Sequence, residues 1–410
     1  MNKNRKFFII FFVLNIYIIF QHRKLPSIIK KKNDKYFYDV SQSENYILKE
    51  KIDLSKEENR TSALIKGKKF VDKCFNEQSM LKNYKIKVKP IISVIIPLYN
   101  CQSTVFAAIN SIRNQNLTDF EIILIDDFSN DNTSYITKFI QERDSRIKIL
   151  KNMKNMGSLY SRSIGVLSSR GDYIFGLDND DLFFMEDIFD YIIRVAIQFK
   201  YDIVGFRSVS IHNYKDNINK MKDLYNYQYY LKNLVIYQPQ LSTWILNRDG
   251  KFLPHDLTIW AKCIKSKIYK DAIILLGVKR YSFFVSWAED SIANYIIFNI
   301  AQSFRFIHKY GIIHLINRTT ASFTKPVQCK LFGDILFLDI IYDFSKYNYD
   351  KNYAALGAIY YKRIYGITKF NNNNTNLIYL KSILAKMVNS QYISTENKMR
   401  LRKEFITFII

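Results

Sequence analysis

An α/β fold, with a mostly parallel sheet covered by helices, follows from three features of the sequence. Short β-branched runs alternate with helical patterns from Pro90 to about Phe206. The runs are almost continuously apolar, as in strands buried on both faces. The chemically loaded residues fall at their ends, at Tyr99-Asn100, Asp126-Asp127 and Asp178-Asn179-Asp180-Asp181. In sheets of this kind ligands bind outside the carboxyl ends of the strands.

Phe7 to Phe20 is apolar apart from Asn15 and Tyr17, with Lys3, Arg5 and Lys6 before it and Arg23 and Lys24 after. No small-residue cleavage site follows, so residues 1–22 are expected to form an uncleaved signal-anchor, a single membrane pass. Basic residues on both flanks leave an ER or Golgi lumen and the cytosolic face equally open. Residues 23–89 are polar with weak periodicity and are expected to form a stem.

At Ile91-Ile92-Ser93-Val94-Ile95-Ile96 the composition changes to a strand that ends at Pro97. The pattern then predicts a helix near Ser103 to Asn114, a strand at Phe120 to Ile125, a helix after Asp131 and a strand at Arg146 to Leu150. A helix over Ser158 to Ser168, a strand over Tyr173 to Leu177, a further helix and a strand at Ile203 to Phe206 complete a first half, residues 90–210. Residues 211–325 are less regular and are expected to face an acceptor. Residues 326–410 read as a helical C-terminal extension, with a loop at Asn371 to Asn374.

Composition narrows the partners. The net charge of +24 rises together with Ile, Asn, Tyr and Phe along the whole chain. That is a compositional drift rather than a basic face, so no nucleic-acid binding is expected. Cys74, Cys101, Cys263 and Cys329 form no CxxC pair, and the five histidines show no HxH or HExxH pattern, which argues against zinc. Disulfides and buried free thiols both remain open.

Three carboxylates in four positions, at Asp178, Asp180 and Asp181, are unfavourable side by side without a cation. Mg²⁺ or Mn²⁺ relieves such crowding and takes one or two carboxylates plus water and phosphate oxygens, which suits a diphosphate ligand. A helix-capping role for the same acids is the competing reading. Asp126 and Asp127, at another strand end, suit hydrogen bonds to a base or ribose. Ser129, Asn130 and Asp131 read as turn and capping residues. Trp260 and Trp287 are candidates for stacking on a sugar or for core packing. Lys262 and Arg162 are candidates for phosphate or for structural ion pairs.

Taken in order, Pro97-Leu98-Tyr99-Asn100, Asp126-Asp127, Asn155-x-Gly157-x-x-x-x-Arg162, Gly171-Asp172-Tyr173-Ile174 and Leu177-Asp178-Asn179-Asp180-Asp181 resemble a family 2 glycosyltransferase of the GT-A fold. The similarity is close from Ile91 to Phe206 and looser through Trp260-Ala261-Lys262 and Trp287-Ala288-Glu289-Asp290. It implies a hexosyl- or N-acetylhexosaminyl-transferase acting on a nucleotide-sugar donor and a glycan, lipid or protein acceptor, with inversion at the anomeric carbon. Pro97 and Tyr99 would border the base, and Asp126 or Asp127 would bind a uridine-like nucleoside. Arg162 would serve the donor, and Asp178 and Asp180 would be the DxD pair that holds metal and diphosphate. Asp290, or its neighbour Glu289, would be the base. Phe128 stands where the family usually has glycine, and Ser163 where asparagine usually follows Arg162. These departures keep open an inactive, membrane-tethered homologue that only binds a sugar nucleotide or glycan.

Overall fold

A computed structural model describes residues 59–76, 89–211, 222–223, 235–238, 258–277 and 288–315, with a few single positions outside these stretches. The expected anchor, Trp287 and nearly all of the expected C-terminal extension lie outside the described residues. Among those described, no helix is long and apolar enough to cross a membrane.

The elements run α1 (Arg60–Cys74), β1 (Ile92–Leu98), α2 (Val105–Arg113), β2 (Phe120–Asp126), α3 (Thr133–Gln141), β3 (Ile147–Lys151), α4 (Ser158–Ser168) and β4 (Tyr173–Gly176). They continue with β5 (Leu182–Phe183), α5 (Ile188–Phe199), β6 (Ile203–Ile211), β7 (Lys222–Asp223), β8 (Val235–Tyr237) and β9 (Lys262–Lys265). The last three are α6 (Ser266–Leu276), α7 (Glu289–Ile300) and β10 (Ser303–Leu315). Every strand and helix expected between Ile91 and Phe206 is present within a few residues, because each has its own local period and its own stop signal.

The sheet order is β3-β2-β1-β4-β9-β6-β10-β5, with β7 on β6 and β8 on β10. Strands β1 to β4 are parallel where they pair, with Leu98 opposite Asp126 and Ile95 opposite Gly176. The expectation of a mostly parallel sheet needs correction beyond β4. There β9 inserts antiparallel between β4 and β6, and β10 pairs antiparallel with both β5 and β8. The sheet is therefore mixed. β9 comes from the irregular second half of the chain, and no local pattern says which strand edges it will fill.

Both faces are covered, as the apolar strands require. Ile92, Val94, Ile96 and Leu98 alternate into one core with Phe120, Ile122 and Leu124, beside a stack of Phe175 on Phe189 at 5.1 Å. On the other face Gly165 of α4 lies so close to Ile95 and Ile125 that a β-carbon would stand 2.6 and 2.7 Å from them. A second correction concerns α1, which lies within the stretch read as a polar stem. Ala63, Leu64 and Val71 are buried against Ala107, Leu182, Phe184 and Ile313. Apart from exposed Ile65, its apolar residues recur on one face while lysines lie on the other, a stripe too narrow to stand out in a lysine-rich sequence. Asn59 caps this helix by accepting the Ser62 N–H at 3.0 Å.

Candidate active site

Four parallel strands end at one edge of the sheet, and hydrogen bonds tie the loops that follow into a fixed frame. Asn100, in a left-handed conformation (φ 48°), accepts the Asn130 N–H at 2.8 Å, while its own N–H donates to Ser129 Oγ at 3.2 Å. Gln102 N–H donates to Asp131 Oδ2 at 3.0 Å. Ser129, Asn130 and Asp131 thus act as the turn residues their types suggested. Asn179 Nδ2 donates to the Pro97 carbonyl at 2.9 Å and joins the acidic turn after β4 to the end of β1. Tyr99 is left 45% exposed on this rim. Phe128 keeps the left-handed backbone that glycine would adopt easily, at φ 69°, and is 44% exposed.

The two acids after β2 are buried and held by the protein. Asp126 accepts from Ser129 N–H at 2.9 Å and from the Ser134 hydroxyl, with Lys151 Nζ at 3.7 Å. Burial works to raise its pKa, but these hydrogen bonds and the lysine outweigh it and hold the carboxyl below its usual range. Asp127 accepts from Asn152 Nδ2 at 2.7 Å and from the Met156 and Gly157 N–H groups at 2.8 and 2.7 Å. It thereby fixes the start of α4. A carboxylate has about four acceptor sites, so either acid retains capacity for a ligand donor. Gly157 stands at that start with φ 84°, where a β-carbon would lie 2.4 Å from the Val285 carbonyl oxygen.

The acidic turn after β4 divides its carboxylates. Asp178 is one-third exposed and receives Arg162 Nη2 at 2.7 Å. Asp180 is raised to about 7 by burial, with Asp181 and Asp178 adding repulsion. Asp181 is fully buried and accepts the Leu315 N–H at 3.1 Å, with His314 Nδ1 at 3.0 Å. Pairing of Ile313 with Leu182 places His314 there. Burial opposes the charge of His314, yet Asp181 holds its pKa up at about 9. The His314 ring stacks on Trp260 at 5.5 Å and 8°. Trp260 is itself buried, as is Lys262, whose Nζ donates to the Thr258 carbonyl. Sequence reading missed His314, since its only signal is a lone histidine in an apolar run.

The acid pair of the second half arrives at the same place. Ala288, left-handed at φ 59°, turns the chain into α7, so Glu289 and Asp290 occupy its first turn. Glu289 Oε1 accepts from the Ser158 hydroxyl at 2.7 Å. Asp290 Oδ2 accepts the Ile259 N–H at 3.1 Å, and its Oδ1 faces Arg162 Nη1 at 3.5 Å. Burial pushes the Asp290 pKa up to about 7; Arg162 works against this and Glu289 adds to it. Arg162, expected to serve the donor, is buried and bridges Asp178 and Asp290. Among the described residues, apart from Lys200, which caps α5, the non-glycine left-handed residues are Asn100, Phe128, Ala261 and Ala288. They adjoin Tyr99, Asp127, Trp260 and Glu289 respectively, as strain at functional sites commonly does.

Residues 93–248 match the family described as Glycosyl transferase family 2. This region is a family 2 glycosyltransferase domain. The chain is 34% identical over 116 residues to the uncharacterized glycosyltransferase EpsJ of Bacillus subtilis, covering 28% of this chain and 33% of that protein. It is 36% identical over 92 residues to the Escherichia coli protein WfgD, a UDP-Glc:alpha-D-GlcNAc-diphosphoundecaprenol beta-1,3-glucosyltransferase, covering 22% of this chain and 36% of WfgD. The matches thus span about a third of the length of these relatives. Crystal structures of S. aureus TarS 1-349 share the fold: the complex with UDP-GlcNAc superposes with a TM-score of 0.54 at 15% identity, over 78% of this chain and 89% of that one. The described core of the family 2 domain is thus a mixed sheet flanked by helices, similar to that of TarS.

Proposed function

We propose that this chain is a glycosyltransferase that moves a sugar from a nucleotide-diphosphate donor, a UDP-sugar, to an acceptor hydroxyl with inversion. One observation carries the reading. Asp178 in the turn after β4 and Asp290 at the start of α7 meet on one arginine, beside the carboxyl ends of β1 and β2. Relatives named as sugar transferases, and a fold shared with a UDP-GlcNAc-bound structure, support the same class.

The residues present fit a divalent ion. Asp180 is raised to about 7 by burial and by its acidic neighbours, a repulsion that a cation at Asp178 and Asp180 would relieve. Among the described residues no group of three or more acidic, histidine or cysteine side chains could by itself hold a metal ion. Mg²⁺ or Mn²⁺ needs none, because it typically takes one or two carboxylates and completes its shell with water and phosphate oxygens. When bound, the ion would neutralise negative charge developing on the leaving diphosphate. Asp181, committed to His314 and Leu315, would position the turn from beneath.

Pro97 and Tyr99 would border the base, and Asp126 and Asp127 would set the loop around it. Asp290 would take the acceptor proton as the acceptor oxygen attacks the anomeric carbon. The bond from that carbon to the diphosphate oxygen breaks, with its electron pair leaving on the nucleoside diphosphate. A direct displacement of this kind inverts the configuration. The apolar, base-flanked segment Phe7 to Phe20 would tether the enzyme to a membrane.

Calorimetry with uridine diphosphate tests the donor site. Binding in the presence of Mn²⁺ that is lost with a chelator is the expected result, and equal affinity in both conditions refutes the metal. Release of nucleoside diphosphate from a panel of nucleotide sugars tests turnover. Tight binding without release from any of them would favour the binding-only homologue.

A further inference from the structure

Arg162 does not stand where a phosphate ligand would be easiest to reach. Its side chain is only 6% exposed, and Nη2 is committed to Asp178 at 2.7 Å. Its Nη1 and Nε have no hydrogen-bond partner, and neither does Asp290 Oδ1, which lies 3.5 Å from Nη1. A buried donor and a buried acceptor thus face each other a few tenths of an ångström beyond hydrogen-bond reach. Leaving a buried donor and a buried acceptor unpaired carries a free-energy cost.

The helix that carries Arg162 is tied on both sides. Its start is held by Asp127, which accepts the Met156 and Gly157 N–H groups. Ser158 holds Glu289, and Arg162, one helical turn further on the same face, faces the next residue, Asp290. Helix α4 therefore joins the carboxyl end of β2 to the first turn of α7, and its arginine spans from there to the acidic turn after β4. A planar guanidinium can hold two carboxylates in fixed directions at once, which a single ammonium does less well.

We propose that Arg162 is a positioning residue, which clamps Asp178 and Asp290 in one fixed geometry so that the base is registered against the donor, and is not itself a donor-phosphate ligand. This rests on the glycosyltransferase reading above. Misplacing a reacting group by about an ångström costs on the order of 10²-fold in rate, so the clamp acts on turnover more than on binding.

The test compares Arg162→Lys, Arg162→Gln, Asp290→Asn and the double variant Arg162→Gln/Asp290→Asn in the full chain. Thermal melting checks each fold, calorimetry with uridine diphosphate and Mn²⁺ reads binding, and nucleoside diphosphate release from the sugar donor reads kcat and KM. With a clamp, both Arg162 variants lose about 10²-fold in kcat with affinity for uridine diphosphate within about threefold of the parent. The double variant is then no slower than Asp290→Asn, because the two residues act as a unit. A phosphate ligand predicts the reverse: Arg162→Lys near the parent rate, and Arg162→Gln weakened chiefly in affinity. That result, or additive losses in the double variant, overturns the proposal. So does loss of a folded transition in Arg162→Lys, which would make Arg162 a purely structural ion. If the parent neither binds uridine diphosphate nor turns over any donor, the functional reading fails, whereas an active parent with a fully active Arg162→Lys sinks the clamp alone.

Discussion

Replacing Asp290 by asparagine separates binding from chemistry, and the structure sets the size of each effect. Asparagine keeps the volume of the side chain but cannot take a proton at neutral pH. A lost general base typically costs about 10²–10⁴-fold in turnover, or about 2.7–5.5 kcal/mol of transition-state stabilisation. The fold should survive with a modest penalty. In the parent one carboxylate oxygen accepts the Ile259 N–H while the other faces Arg162. An asparagine can serve only one of these with its oxygen, so its NH₂ must face a donor, at a cost of about 1–3 kcal/mol. Arg162 keeps Asp178 as a partner. Affinity for uridine diphosphate should stay within about threefold of the parent, since no donor contact is removed. With Mn²⁺ saturating, so that Asp180 stays ionised, the parent itself should show a rate that falls about tenfold per pH unit below about 7, the value to which burial raises the Asp290 carboxyl, and levels off above it, because the base works only when ionised. Initial rates of nucleoside diphosphate release, measured from pH 5.5 to 9, would show both effects. Parent-like turnover in Asp290→Asn refutes the assignment, and if Glu289→Gln is then inactive the base is the neighbouring residue.

Further outcomes follow from the frame around the site. Phe128→Gly should raise the melting temperature by a few degrees: relieving a left-handed conformation is worth about 1–2 kcal/mol, glycine's added chain entropy returns about 0.5–1, and the half-exposed ring gives up little packing. A lower melting temperature would mean that the ring packs more tightly than its exposure indicates. Gly157→Ala should destabilise by about 1–3 kcal/mol, because its β-carbon would collide with the Val285 backbone and the left-handed turn would be strained. A melting curve identical to the parent's would refute that geometry. Cys74 and Cys101, whose thiols burial pushes up to about 12, should react with a disulfide reagent at pH 8 only after denaturation. Rapid labelling of the native protein at either position would contradict their burial. Asp180→Asn should weaken uridine diphosphate binding and rate together, unlike Asp290→Asn, and calorimetry in Mn²⁺ decides between the two patterns.

The sequence alone determined the elements from Ile91 to Phe206 and the end of each strand at which polar residues gather. Both are local properties: an apolar run of strand length, its flanking turn residues and the acids that follow are all read within a dozen positions. The family's residue order could be seen for the same reason, since its motifs are short and consecutive. What the sequence could not fix were the long-range choices. The antiparallel insertion of β9 between β4 and β6 depends on which strand edges remain free once the parallel core has formed. Residues 60–74 became a packed helix because a face formed by Ala63, Leu64 and Val71 found an apolar surface to cover. Cys74, Cys101 and Cys263 proved to be free and buried, a matter of where each side chain lands. Asp181 was separated from its acidic neighbours by His314, which comes from a strand near the far end of the described chain and is set beside it by register. Arg162, expected to serve the donor, lies buried between Asp178 and Asp290, and Asp290 reaches it from the start of α7. A spacing along the chain says nothing about such meetings, because they arise from how the two halves of the domain pack across the sheet.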